Sequence, residues 1–181
     1  MGRKYKIHDQ QETYFITCTI VNWIDLFIRD EYRQIIIDSL NYCIKEKGLK
    51  VYCYCIMTSH LHLIVSADNN LSDIIRDFKS FTSLEIRKAV EEHSGESRKE
   101  WLLWMFKYSG KDNSRNKGFQ VWQQHNHPIV LDKVGLLGQK IDYIHNNPLV
   151  GGFVTDPSYW QWSSCNSYEN EVEDIIDLVY L

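Results

Sequence analysis

Long apolar runs, a disulfide framework and a surplus of positive charge are all missing from this chain, and each absence excludes something. No stretch approaches the roughly 20 apolar residues that a membrane-spanning helix needs, so no membrane partner is expected. The opening MGRKYKIHDQ carries charge but no apolar segment, which argues against a secretory signal. It also lacks the Ser or Thr of a myristoylation motif. The five cysteines (Cys18, Cys43, Cys53, Cys55 and Cys165) are an odd number without framework spacing. They read as free, buried thiols in a reducing cytoplasm, which is the expected location. Cys53 and Cys55 alternate along a strand with no second pair nearby, so a zinc ribbon is not expected. No internal repeat, linker or low-complexity segment interrupts the chain. The formal net charge of −4 counts against bulk attraction to nucleic acid.

What is present is enough for a substantial core. With 181 residues, 44% of them hydrophobic and 13% aromatic, the chain is expected to fold as one domain over residues 1–181. Its charges are unevenly placed. The tail over about 167–181 holds Glu169, Glu171, Glu173, Asp174 and Asp177 with no basic residue. It reads as a solvated end, with a dimer contact as the alternative. The stretch 107–118 holds Lys107, Lys111, Arg115 and Lys117 against Asp112 alone, so the summed charge hides a basic region that a polyanion could use.

Periodicity orders the elements. Residues 13–21 are rich in β-branched and aromatic side chains and predict a strand. A helix follows, with Ile36, Leu40, Cys43 and Ile44 on one face, Asp30 as its cap and Gly48 as its stop. Residues 49–57 and 60–67 predict two strands joined by a tight turn. A long helix starts near Leu71, capped by Asn70 or Ser72, with Leu71, Ile74, Ile75 and Phe78 on one face. Another helix covers ESRKEWLLWMFKY, and the Gly-, Asn- and Lys-bearing piece after it reads as a mobile loop. Residues 119–124 predict a fourth strand, ended by HNHP. Residues 132–147 predict a helix capped by Asp132 and stopped by Pro148. This order predicts an α+β fold, a central antiparallel sheet with helices packed on it.

One of these strands carries unusual side chains. In HLHLIVSA, side chains repeat every two residues, so His60, His62 and Ile64 share a face while Leu61, Leu63 and Val65 share the other. Two imidazoles so placed can converge on one cation, and imidazole suits zinc or manganese better than magnesium. They can equally be packed under a helix and bonded to backbone. A third ligand is available in KIDYIHNNPLVGGFV. Tyr143 and Asn147 lie one helical turn apart, so the Asn147 amide could complete a metal shell beside the Tyr143 phenol. A core tyrosine and a helix-ending asparagine are the alternatives.

Four segments in order carry a resemblance: MTSHLHLIV, VWQQHNHPI, IDYIHNNPLVGGFV and YWQWSSCNSY. Together they are similar to the single-tyrosine HUH transposases of bacteria, and in particular to their REP-associated tyrosine transposase branch. The similarity runs from YFITCTIVNW to SSCNSY. It implies a ferredoxin-like or RRM-like sandwich, with His60, Leu61 and His62 as the histidine-hydrophobic-histidine motif. It further implies Tyr143 as nucleophile, and His60, His62 and Asn147 as ligands of a divalent metal, Mg²⁺ or Mn²⁺. One departure is Ser59, where the family leads one to expect Asn. The implied reaction is cleavage and rejoining of single-stranded or hairpin DNA, such as a REP element, through a 5′-phosphotyrosine. Relatives include dimers and monomers, so both a homodimer and a monomer stay open. A free phenol ionises near pH ~10, so Tyr143 must lose its proton as it attacks. His145 points about 200° away from Tyr143 on a helix, which suggests a supporting or structural role and not that of a base.

DNA contacts are expected from Arg76, Lys79 and Arg87 on the second helix, with Ser80 and Ser83 between them, or else that face is simply solvated. Lys107, Lys111, Arg115, Lys117 and the arm Arg3, Lys4 and Lys6 could add phosphate contacts. Trp122, Trp160 and Trp162 could stack on bases or be buried. His125 and His127 form a second, less regular histidine pair, and His127 is expected to order a turn near the DNA. Two other functions remain open. One is a non-cleaving nucleic-acid-binding protein of the same fold. The other is a metal-dependent hydrolase using water, whose activity would survive Tyr143→Phe.

Overall fold

The computed structural model describes residues 7, 10, 12–111 and 118–180. β1 (Tyr14–Thr19), β2 (Leu49–Ile56), β3 (His60–Ala67) and β4 (Ile129–Val130) form one antiparallel-paired sheet in the order β2-β3-β1-β4. α1 (Asp30–Lys47) joins β1 to β2 and α2 (Leu71–Glu92) follows β3. The sheet order with those two crossovers is the ferredoxin-like arrangement. α3 (Lys99–Gly110), α4 (Leu136–Val150) and α5 (Cys165–Asn170) complete the described helices.

Side-chain alternation in β3 divides the molecule into two layers. Leu61, Leu63 and Val65 enter the main core with Ile16, Cys18, Ile36, Leu40, Ile75 and Phe78, beneath α1 and α2. Ile64 faces the other way, into a smaller cluster with Phe15, Cys53, Cys55, Met57 and Ile144 of α4. The histidine face of the sheet is therefore the one that α4 covers. All five cysteines are free and buried.

Helix ends follow local chemistry. Gly48 ends α1 at φ 70°, a conformation that costs glycine little. Asn70 caps α2 by accepting from Asp73 N–H, an arrangement typically worth about 1 kcal/mol. Asp30 does not cap α1. Arg29 occupies that position without a side-chain bond, and Asp30 lies in the first turn, where Arg33 donates to it at 2.8 Å.

Three further expectations are corrected by the tertiary structure. The fourth strand is Ile129–Val130, not 119–124. The 119–124 segment does run beside β1, with Val21 N bonded to Val121 O and Gln123 N to Thr19 O, but only Ile20 and Trp122 form a bridge. The ladder breaks at HNHP, where His127 takes φ 44° and Pro128 has no N–H to donate. Second, α4 begins after Gly135 (φ 80°), so Asp132 is not its cap, and it runs through Pro148 to Val150. A proline so near the end forfeits one bond, to the Ile144 carbonyl, and Gly151 N to Asn147 O (2.9 Å) closes the turn. Third, the acidic tail is docked and not a free end, although Glu169, Glu171, Glu173 and Asp177 are exposed as a solvated end would have them. Ile176 is buried, Leu178 forms a parallel bridge with Val51, and Asp174 accepts from Tyr54 Oη at 2.7 Å and from Ser167. The mobile-loop expectation falls on residues 112–117, outside the described ones.

Candidate active site

The sheet register builds the centre of the site. Thr17 of β1 lies opposite His62 of β3, and Thr19 opposite His60. Side chains at such paired positions meet. Thr17 Oγ1 and His62 Nδ1 are 2.9 Å apart, and Phe15 stacks on the His62 ring with centroids 5.4 Å apart. The His60 and His62 rings are 4.7 Å apart at 76°. His62 is 4% exposed, and its other nitrogen, Nε2, is buried with no hydrogen-bond partner among the described residues. A buried polar atom left unpaired costs roughly 1–3 kcal/mol, so this nitrogen is open to a further partner.

Burial favours the neutral form of both rings. Burial first, then His60 and Lys140, push the His62 imidazole down to about 3. Burial also lowers His60, while Asn147 and Asp25 act in the opposite direction. Neutral imidazole is the form that ligates metals. Ser59, the departure from the expected Asn, places its hydroxyl 3.1 Å from His60 Nδ1.

α4 brings the remaining predicted residues to this face. The Tyr143 ring lies 5.4 Å from His62 and 5.9 Å from Phe15, edge-on to both, and the residue is 49% exposed. A nucleophile needs that access. Asn147, one turn on, meets His60. Lys140, one turn before Tyr143, holds its ammonium 4.7 Å from the Phe15 ring centre and 5.2 Å from that of Tyr143. Among the described residues no three His, Cys, Asp or Glu converge. A metal here would depend on two imidazoles and the Asn147 amide, a donor set that fits a divalent first-row ion and the orphaned Nε2.

Sequence reasoning missed Thr17, Phe15, Lys140 and Trp23, whose ring lies 5.5 Å from His60. Thr17 and Phe15 share the alternation of the histidine strand, but only the pairing register shows which residues they meet. His145 faces away from these groups. It is buried, with Nε2 2.9 Å from Ser164 Oγ and 3.3 Å from Cys53 Sγ, so its contacts lie within the fold.

Several proposed DNA contacts are otherwise engaged. Lys79 is not free for phosphate, because Nζ donates to Gln123 O (2.6 Å) and Asn126 Oδ1 (2.5 Å) and so ties α2 to the loop beside β1. Arg76 pairs with Asp73 and Asp77, and Arg87 with Glu91. Trp122 cannot stack on bases: it is buried and donates to Thr82 Oγ1. Trp160 donates to Ile56 O, and with Trp162 it flanks the Arg33 guanidinium. Lys107 and Lys111 are exposed. The His125 and His127 rings are exposed and 6.4 Å apart, wider than the His60 and His62 pair. Arg115, Lys117, Arg3, Lys4 and Lys6 lie outside the described residues.

The sequence model of the family described as "Transposase IS200 like" matches residues 14–124, which include His60 and His62 and stop short of Tyr143. No curated protein matches the chain. Among solved structures, a REP-associated tyrosine transposase bound to a REP hairpin is similar over 97% of this chain and 90% of its own, with a TM-score of 0.67 at 15% identity. At that identity the shared property is the fold. A protein from Deinococcus radiodurans R1, described as a candidate transposase, aligns over 81% of this chain and 95% of its own at 14% identity, with a TM-score of 0.46.

Proposed function

Because the chain belongs to the IS200-like transposase family, we propose that it cuts and rejoins single-stranded or hairpin DNA through a covalent bond to Tyr143. The observation that carries this reading is the buried, unpartnered Nε2 of His62 beside a half-exposed tyrosine on the covering helix. Similarity to a transposase bound to a REP hairpin supports a hairpin-bearing substrate and the REP-associated branch.

His60, His62 and Asn147 are the residues that would hold a divalent ion, and of Mg²⁺ and Mn²⁺ the two imidazoles suit Mn²⁺ better. When bound, such an ion supplies Lewis-acid stabilisation of charge on the non-bridging phosphate oxygens. The protein's own groups do the rest. Thr17 fixes the His62 ring by its bond at Nδ1, leaving Nε2 directed to the ligand. Phe15 and His62 hold the Tyr143 ring edge-on, which limits the directions its hydroxyl can take. Tyr143 Oη forms a bond to phosphorus as the bond from phosphorus to the 3′-oxygen breaks. The phenol loses its proton to solvent and the departing oxygen gains one, leaving a 5′-phosphotyrosine and a 3′-hydroxyl. One phosphodiester replaces another, so the reverse attack rejoins strands without ATP. The Lys140 ammonium, 5.2 Å from the Tyr143 ring centre, places positive charge beside the developing anion.

The test is a denaturing gel of protein mixed with a pool of labelled hairpin-bearing single strands and Mn²⁺ or Mg²⁺. A covalent adduct that is lost in Tyr143→Phe, in His60→Ala and in EDTA is expected. Cleavage that persists in Tyr143→Phe would point instead to a hydrolase using water. DNA retention with neither adduct nor cleavage would point to a binding protein.

A further inference from the structure

One exposed ring at the candidate site, and others on the helix that its turn touches, are not used by the cleavage chemistry. Trp23 is 60% exposed, yet its ring rests against His60 at 5.5 Å and 70°. It belongs to a short 3-10 turn, Val21–Trp23, in which both Asn22 and Trp23 take φ 54°. A bulky residue at positive φ is strained, and such strain persists where the surrounding structure enforces it, commonly at ligand sites. Here backbone bonds from Trp23 N to Ile20 O and from Ile24 N to Val21 O enforce it.

The same turn touches α3. Asn22 Nδ2 donates to Ser109 Oγ at 3.2 Å, which brings the C-terminal end of α3 to the Trp23 turn. Next to Ser109, Tyr108 is 61% exposed and Trp104 56% exposed, and their rings stack at 5.3 Å and 18°. Trp101, one turn further back, is exposed as well. Residues 101, 104 and 108 follow the i, i+3, i+7 spacing of one helical face, while Leu102 and Phe106 on the opposite side fill the core. This exposed face is therefore not an amphipathic leftover of core packing. Lys107 and Lys111 flank it, and neither is ion-paired with any described residue. Glu100, its acidic neighbour, lies at the far, N-terminal end.

We infer that Trp23, Tyr108 and Trp104 form a track on which the bases of a single-stranded DNA segment stack as the strand passes the catalytic face. Aromatic rings accept any base on their π-face, and flanking lysines follow the phosphates. Exposed rings beside exposed lysines suit a polyanion of flat bases better than an apolar protein surface. The inference rests on the DNA-cleavage reading and adds to it where the unpaired strand runs.

The test uses the full-length protein in EDTA. Fluorescence anisotropy measures binding of a ~12-nucleotide oligothymidylate, within the usual span of such sites, and of a blunt duplex of similar length. In the Trp104→Ala/Tyr108→Ala double variant, oligothymidylate affinity should fall about tenfold or more, with duplex affinity and circular dichroism unchanged. Trp23→Ala should weaken the single strand in the same selective way. The inference is overturned if the folded double variant binds oligothymidylate like wild type, or loses single strand and duplex equally. It is also overturned if the double substitution dissolves a dimer in sedimentation without changing DNA affinity, which would make the face a contact between copies. Adduct formation on the hairpin pool separates the two readings. If wild type forms the Tyr143 adduct and only the affinity result fails, the track alone is wrong. If wild type neither binds nor forms an adduct, the DNA reading fails and the track with it.

Discussion

Replacing Thr17 by valine isolates one atom of the candidate site. Valine matches threonine in shape, so the β1 to β3 pairing and the Phe15 stack are kept while the oxygen 2.9 Å from His62 Nδ1 is lost. With a cation at Nε2, neutral His62 must carry its proton on Nδ1. Without Thr17, that N–H is buried and unpaired, since the ring is only 4% exposed. Leaving such a donor unsatisfied costs about 1–3 kcal/mol, and this cost falls on the metal-bound tautomer. Mn²⁺ affinity should therefore drop about 10- to 100-fold, the range seen when partners of ligating histidines are removed. Calorimetric or paramagnetic titration of Mn²⁺ measures the drop. The adduct rate at saturating Mn²⁺ should recover to near wild type, and Thr17→Ser, which keeps the hydroxyl, should restore affinity. Thr17→Val with wild-type Mn²⁺ affinity would refute the orientation argument, and wild-type protein with no measurable Mn²⁺ binding would refute the metal site itself.

Other expectations concern stability. Burial alone would raise the Glu96 carboxyl, but hydrogen bonds from Arg29 and Arg98 outweigh it and hold it at about 2. A depressed carboxylate stabilises the fold fully above its ordinary pKa and loses that contribution as pH falls toward 2. Chemical denaturation between pH 5 and 2 should thus show a loss of up to about 3 kcal/mol that Glu96→Gln largely abolishes. Lys79→Met should lower stability by about 1–3 kcal/mol and raise hydrogen exchange at Thr17 and Gln123, because the loop loses its tie to α2. If Lys79→Met instead weakens DNA binding with no change in exchange, the lysine is a phosphate contact after all. Asp174→Ala removes acceptors used by Tyr54 and Ser167, and should cost about 1–3 kcal/mol in urea unfolding. An unchanged midpoint would return the tail to a solvated end.

Period-2 alternation was enough to place His60 and His62 on one face, and helical spacing was enough to set Tyr143 and Asn147 one turn apart. Both are local consequences of backbone geometry, and the structure keeps both. Apolar stripes located α1 and α2, because each stripe must face a core. Local signals failed where two constraints competed. Residues 119–124 look like a strand and lie beside β1, but HNHP interrupts the ladder, and the short pairing forms beyond it at Ile129–Val130. Pro148 looks like a stop, yet near a helix end it forfeits a single bond. Trp122 and Lys79 carry surface chemistry by type, and packing against Thr82 and the 123–126 loop assigns them elsewhere.

The sequence by itself determined the residue types, their faces and the family resemblance. Tertiary structure decided which faces meet. α4 covers the histidine side of the sheet, Thr17 stands opposite His62, and Trp23 turns outward against His60. None of these follows from periodicity, because strand register and helix docking are set by contacts between segments far apart in the chain.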